Sequence, residues 1–311
     1  LIAVGGDARL ARCRVTAPVE RDPVRHHVHP RNVLVFLADT HRADRLSIYD
    51  PKTRVITPAF TALAAHSAVF ESAHAHANWT KPSVASLMTS LMPWQHGASE
   101  RGAAVPGHIM LISQYMQAHG YSTAGFVTNS YISSTFGFER GWDHWSHSRE
   151  TRRSRAPQVV DDVVRWLDTR DGDDPFFIYV HTTDPHSPYV PAPSVLARYD
   201  PGPYEGIADF ELDRLLIHSI RMGACELDDR DRTRFVALYD GEVDEHSTQV
   251  GQLMEALKVR NVLDDTLVVF VSDHGEELFD HGSVGHGQTW YEELLRVPLI
   301  IHWPSVTAGG I

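Results

Sequence analysis

Apolar residues in this chain fall into two rhythms. Short runs dominated by Val, Leu, Ile and Phe occupy residues 32–38, 122–128, 175–181, 266–272 and 297–301, and stretches with a helical period, 158–167 and 237–257, lie between them. A short run that is apolar at consecutive positions has no solvent face, so it predicts a strand covered on both sides. Alternation of such strands with helices predicts an α/β domain, a mainly parallel sheet flanked by helices on both faces. Two smaller signals add helices. Thr57-Pro58 sets an N-cap before a proline at the first helical position and opens a helix through Ala64, and Gly120 ends another that starts near His108.

Two of the strand runs stop on aspartate. Asn32-Val-Leu-Val-Phe-Leu-Ala38 is followed by Asp39, and Thr266-Leu-Val-Val-Phe-Val-Ser272 by Asp273 and His274. Open α/β sheets hold ligands beyond the carboxyl ends of their strands, so two carboxylates and an imidazole are expected on one rim, where they suit a metal ion. The plainer alternative is that each aspartate caps its own loop. In Asn78-Trp-Thr-Lys-Pro-Ser83, Thr80 stands two residues before a proline at the start of an expected helix, whose free backbone N–H groups point at an anion. A hydroxyl there becomes a nucleophile if a metal lowers its pKa. Otherwise Thr80 is only the cap.

Composition narrows the partners. Against 28 Lys and Arg stand 40 Asp and Glu, a net charge of -12 that disfavours nucleic acid and anionic membrane surfaces. An anionic substrate then needs a local positive centre, which a bound divalent cation supplies, and the 20 histidines are more than structure alone usually requires. Cys13 and Cys225 are too few for a disulfide framework and lack metal-ligand spacing. No run reaches the roughly eighteen apolar residues of a membrane span. Residues 1–31, rich in Arg, Pro and His without periodicity, are expected to be a poorly ordered leader before one domain over 32–311, and the basic run 152–155 reads as a solvated loop. Leu1-Ile-Ala-Val-Gly-Gly6 matches the tail of a secretory apolar region but is too short to assign as one, so the location is left open, a periplasmic or secreted one favoured over the cytoplasm.

Further motifs follow in a fixed order: Asp39-Thr-His-Arg-Ala-Asp-Arg-Leu46, Thr57-Pro58, Thr80-Lys-Pro-Ser83 with Leu87-Met-Thr89, and Pro93-Trp-Gln-His-Gly97. Then come Asp184-Pro-His-Ser-Pro188, Ser272-Asp-His-Gly-Glu276, and Gly285-His-Gly287 with Tyr291-Glu-Glu-Leu-Leu-Arg-Val-Pro298. In that order they resemble the sulfatase family of the alkaline phosphatase superfamily from about Asn32 onward. The resemblance implies an alkaline-phosphatase or sulfatase-like core, a nucleophile at Thr80, and metal ligands at Asp39, Asp273 and His274; a cation touching both nucleophile and ester adds the Thr80 oxygen to that cage. It also implies substrate-binding or catalytic histidines at His186 and His286, each able to bind an ester oxygen or protonate the leaving group. A C-terminal subdomain belongs to the family pattern, and this sequence is expected to lack it. Lys81, beside the nucleophile, either pairs with the substrate anion or points to solvent. His181 and Asp184 are further candidates or fix their loop, and His281 reads as an exposed loop residue.

Three positions depart from the pattern. Sulfatases typically carry Cys or Ser at the nucleophile position, converted to formylglycine; Thr80 cannot be converted that way, so no formylglycine is expected. Val84 stands where the family has Arg, and Thr40 where a second Asp is common. His274, where many members have Asn, leans the same way, toward phosphate-ester branches in which threonine nucleophiles occur. The expected function is metal-dependent hydrolysis of a small anionic sulfate or phosphate ester through a covalent Thr80 intermediate. Transfer of a phospho group to a sugar or lipid, and a catalytically inactive metal-binding homologue, are the alternatives. Oxygen-rich ligation admits Mg²⁺, Ca²⁺ or Mn²⁺, and the imidazole of His274 also permits Zn²⁺.

Overall fold

The computed structural model describes residues 30–148, 156–170, 173–208, 214–304 and 307. The expected leader up to residue 29, Cys13 and the basic run 152–155 lie outside the described residues. In chain order come β1 (Asn32–Ala38), α1 (Pro58–Ala64), β2 (Ala68–Val69), α2 (Thr80–Thr89), α3 (Pro93–His96), α4 (Ile112–Ala118), β3 (Ser122–Val127) and β4 (His144–His147). There follow α5 (Ala156–Thr169), β5 (Phe176–Thr182), α6 (Pro193–Tyr199), α7 (Arg214–Arg221), α8 (Asp229–Val259), β6 (Thr266–Ser272), β7 (Glu277–Leu278), β8 (Val284–Gly285), α9 (Glu292–Leu295) and β9 (Leu299–His302).

Seven strands form one sheet in the order β2-β9-β6-β1-β5-β3-β4. From β6 to β4 they run parallel, and β9 and β2 close one edge antiparallel. The apolar run of β1 follows directly from its central place. Leu34 and Phe36 join one apolar cluster with Phe60 of α1, Val163 of α5 and Leu238 of α8. Val35 and Leu37 join a second cluster with Val84 and Met88 of α2. Both faces are therefore covered by helices, and each such side chain contributes about 1.5–3 kcal/mol through burial. A polar residue at Phe36 would forfeit that contribution and strand an unpaired group in the core.

Three boundaries differ from the sequence pattern, each for a local reason. α8 has 31 residues, about 46 Å of helix. It begins at Asp229 rather than near 237 because Asp228 caps it, accepting from Asp231 N at 2.8 Å, while the Asp231 carboxylate accepts from Asp228 N at 3.4 Å. The helix that was expected from His108 starts at Ile112, where Gln114 Oε1 accepts the Leu111 N–H at 3.1 Å. The run 297–301 becomes β9, which lies antiparallel to β6. No helix among the described residues is long and apolar enough to cross a membrane.

Register is what builds the site. Ala38 lies opposite Thr182 on one side and Ser272 on the other, so the loops leaving the three central strands depart at one level.

Candidate active site

The chain leaves β1 at Asp39 and turns at once. Thr40 takes φ +60°, a left-handed conformation that costs a β-branched residue about 1–2 kcal/mol. Its surroundings enforce it. Thr40 N donates to Asp273 Oδ1 at 3.2 Å, and Thr40 O accepts from the Tyr239 hydroxyl at 2.8 Å. Ser272 Oγ accepts from His41 N at 2.9 Å, so the loops after β1 and β6 are fastened to each other.

Asp39, Thr80, Asp273 and His274, all buried, meet above this junction. Thr80, the first residue of α2, lies with Oγ1 3.5 Å from Asp39 Oδ1 and 3.3 Å from His274 Nε2. His274 Nε2 is 3.6 Å from Asp39 Oδ1 and 3.4 Å from Asp273 Oδ2. The Asp39 carboxylate is steadied from behind by Asn129, whose Nδ2 donates to Oδ2 at 2.6 Å while its Oδ1 accepts from Tyr131 N at 2.8 Å. His181 Nε2 stands 3.8 Å from the same oxygen.

Charge within the cluster is unequally shared. Burial opposes ionisation of Asp39, but His186, His181 and His274 outweigh it and hold this carboxyl well below the usual range. Burial, and then the Asp39 charge, push Asp273 well above it. Burial and the neighbouring His286 lower the His274 imidazole to about 3, so it is neutral. With Nδ1 placed to donate to Gly275 O at 2.9 Å, the Nε2 lone pair faces Asp39 and Thr80.

This donor set fits a divalent cation. One ligand atom each from Asp39, Asp273 and His274 lie within 4.8 Å of one another. Asp273 Oδ2 and His181 Nε2 are buried without a hydrogen-bond partner among the described residues. Two crowded carboxylates, a neutral imidazole and a hydroxyl form a mixed oxygen and nitrogen set open to Mg²⁺, Ca²⁺, Mn²⁺ or Zn²⁺.

A histidine wall stands beside the cluster. The His286 ring centre is 4.5 Å from that of His274 and 5.0 Å from that of His186. Glu276, 1% exposed, fixes His286 through Oε1, 2.8 Å from Nδ1, and its Oε2 accepts from the Tyr189 hydroxyl at 3.1 Å. Burial disfavours the His286 imidazolium, yet the Glu276 charge and hydrogen bond prevail and raise its pKa. The Thr80 hydroxyl, the Asp39, Asp273 and His274 donors and the His286 ring thus stand side by side.

The profile of the sulfatase family matches residues 31–309. The chain belongs to the sulfatase family. It is 25% identical over 327 residues to the choline-sulfatase of Rhizobium meliloti, covering 89% of this chain and 64% of that protein. It is 22% identical over 369 residues to the N-acetylglucosamine-6-O-sulfatase of Bacteroides thetaiotaomicron, covering 93% and 66%. The phosphonate monoester hydrolase of Agrobacterium radiobacter shares the fold, with a TM-score of 0.75 at 22% identity over 90% of this chain and 69% of that one. This sulfatase-family chain therefore spans about two thirds of the length of these relatives.

Most of the expected site residues gather in this cluster of the sulfatase-family chain; Lys81 does not. Its ammonium donates to the carbonyls of Glu100, Arg101 and Ala103 at 2.6–2.7 Å and lies 4.2 Å from the Phe136 ring centre. All three N–H donors are used, so it neither pairs with a substrate anion nor points to solvent. Asp184 accepts from Ala156 N at the start of α5, a loop-fixing role. His281 is exposed, stacks on Tyr291 and pairs with Glu293 at 3.1 Å. Val84 is buried in the apolar cluster under α2. Sequence reasoning missed Asn129 and Tyr189 and left Glu276 without a role. Only Glu276 carried a signal, through its place in Ser272-Asp-His-Gly-Glu276.

Proposed function

We propose that this chain is the catalytic core of a metal-dependent hydrolase of small sulfate or phosphate esters that works through a covalent adduct on Thr80. The observation that carries the reading is the convergence of Thr80 Oγ1, Asp39 Oδ1 and His274 Nε2 at 3.3–3.6 Å. Asp39, Thr80, Asp273 and His274 would hold a divalent cation, which would supply positive charge to lower the hydroxyl pKa and balance the ester anion. Thr80 Oγ1, its proton released to solvent, attacks sulfur or phosphorus, and the ester oxygen leaves with a proton from His286 or His186. Water then gives a proton to that same histidine as it attacks the sulfur or phosphorus, and Thr80 Oγ1 departs, regaining a proton from solvent. Asn129 keeps Asp39 in place throughout, and Glu276 keeps His286 in place.

Threonine narrows the transferred group. A formylglycine hydrate expels sulfate with its second hydroxyl, which Thr80 lacks. Its adduct must be attacked at the central atom, and phosphorus accepts that attack with help from a cation and histidine. Phosphate or phosphonate esters are therefore the favoured substrates, with sulfates second. Both chemistries occur by name among the similar proteins, in the choline-sulfatase and in the phosphonate monoester hydrolase.

The reading is tested by assaying purified, metal-reconstituted protein against an aryl sulfate, a phosphate monoester and a phosphodiester, beside Thr80→Ala. The expected result is turnover of at least one ester, lost in Thr80→Ala while cation binding persists. Turnover unchanged by Thr80→Ala, or no turnover of any ester with cation fully bound, would overturn it.

A further inference from the structure

α7 ends on Arg221, and this side chain reaches the segment that carries His286. Arg221 Nε donates to Val284 O at 2.6 Å, and Nη2 donates to His286 O at 3.2 Å. Gly285, between those carbonyls, has φ +83°, and a Cβ there would fall 1.6 Å from Arg221 Nη2. Glycine therefore leaves the seat in which the guanidinium lies against the backbone.

Charge makes the placement informative. Arg221 has no carboxylate partner among the described residues, although the chain carries 40 acidic residues. Arg42, Arg45, Arg54, Arg198, Arg230 and Arg234 each pair with an aspartate, whereas Arg140, Arg170, Arg232 and Arg296, like Arg221, donate to backbone carbonyls; Arg221 differs from these four in lying against the segment that carries His286. Arg221 is half-buried, so its charge is partly desolvated without an ion-pair partner among the described residues. The two carbonyls fix its plane but leave Nη1 without a protein acceptor among the described residues. A planar fork with free donors, held rigid beside the histidine wall, suits a pair of anionic oxygens.

We propose that Arg221 recognises an anionic group, a carboxylate, sulfate or phosphate, borne by the substrate on its leaving-group side. This rests on the reading that an ester sits between Thr80 and the histidine wall. The substrates of choice are then esters with a second negative charge beyond the scissile group. Arg221 acts in specificity, and no bond is made or broken at it.

Non-hydrolysable sulfonates test this without turnover. Calorimetry on the full, Mn²⁺-loaded chain compares benzenesulfonate with 3-sulfobenzoate and 4-sulfobenzoate, whose carboxylates extend the molecule at two angles. The expected result is that one sulfobenzoate binds about tenfold more tightly than benzenesulfonate, and that Arg221→Met erases the advantage. Arg221→Lys keeps the charge without the fork and retains only part of it. If Arg221→Met fails to fold, Arg221→Lys decides the question. Equal binding of all three probes by the wild type, or no binding of any, overturns the proposal. So does an equal loss for every probe in Arg221→Met, which marks the residue as a clamp on its loop. A wild type that prefers a sulfobenzoate yet hydrolyses no ester keeps the Arg221 assignment and rejects the hydrolase reading.

Discussion

Glu276 Oε1 lies 2.8 Å from His286 Nδ1, and the carboxylate that makes this contact is itself held by the Tyr189 hydroxyl at 3.1 Å. Both oxygens are used, so the pair fixes the imidazole plane and directs Nε2 away from Glu276. Glu276→Gln preserves an acceptor but removes the charge that favours the imidazolium. It is expected to lower kcat by about 10–100-fold with little change in KM. Steady-state kinetics beside calorimetric cation binding checks this, and unaltered kcat would dismiss the positioning role.

Lys81 gives the opposite signature. Its three carbonyl partners would be left without a donor in Lys81→Met, which is expected to cost about 2–4 kcal/mol of stability. Urea melts measure this loss, and KM should stay near the wild-type value. A raised KM with unchanged stability would return Lys81 to the substrate.

Asp273 couples cation binding to pH. Burial and the Asp39 charge raise its carboxyl, so the fold favours the protonated form when no cation is bound. Such a group adds stability below its unfolded pKa and loses it as pH climbs through the folded one. The cation favours the ionised form instead. The gap in thermal midpoint between cation-loaded and chelator-treated protein should therefore widen from about pH 5 to pH 8. A gap that stays constant would count against Asp273 as a ligand.

Gly285→Ala strains the backbone at φ +83° and drives a methyl group into Arg221. The expected cost is about 1–3 kcal/mol. Differential scanning calorimetry reads the cost. A fully stable Gly285→Ala protein would show that Arg221 does not occupy this seat.

Legibility in the sequence followed burial. β1 and β6 could be read because both faces are covered, leaving runs of apolar residues that end where the sheet ends. Asp39, Asp273 and His274 came with them, since matched register puts both strand ends at one rim. Lys81 was misread from adjacency: on a helix, one residue beyond Thr80 is turned by about 100°, toward different neighbours. Asn129 had no motif around it, and it reaches Asp39 only because β3, which it follows, lies one strand beyond β5 from β1 in the sheet order. The first turns of α8, Asp229-Arg-Asp-Arg-Thr-Arg234, carry no apolar stripe, so capping alone marks that start.

Trapping the covalent adduct decides whether Thr80 Oγ1 is the nucleophile. Metal-loaded protein is mixed with excess activated aryl phosphate or aryl sulfate, quenched in acid during the first turnover, and mapped by peptide mass spectrometry. A phosphorylated or sulfated Thr80 is expected in the wild type and no modified residue at position 80 in Thr80→Ala. Repeated turnover with Thr80 never modified would contradict it.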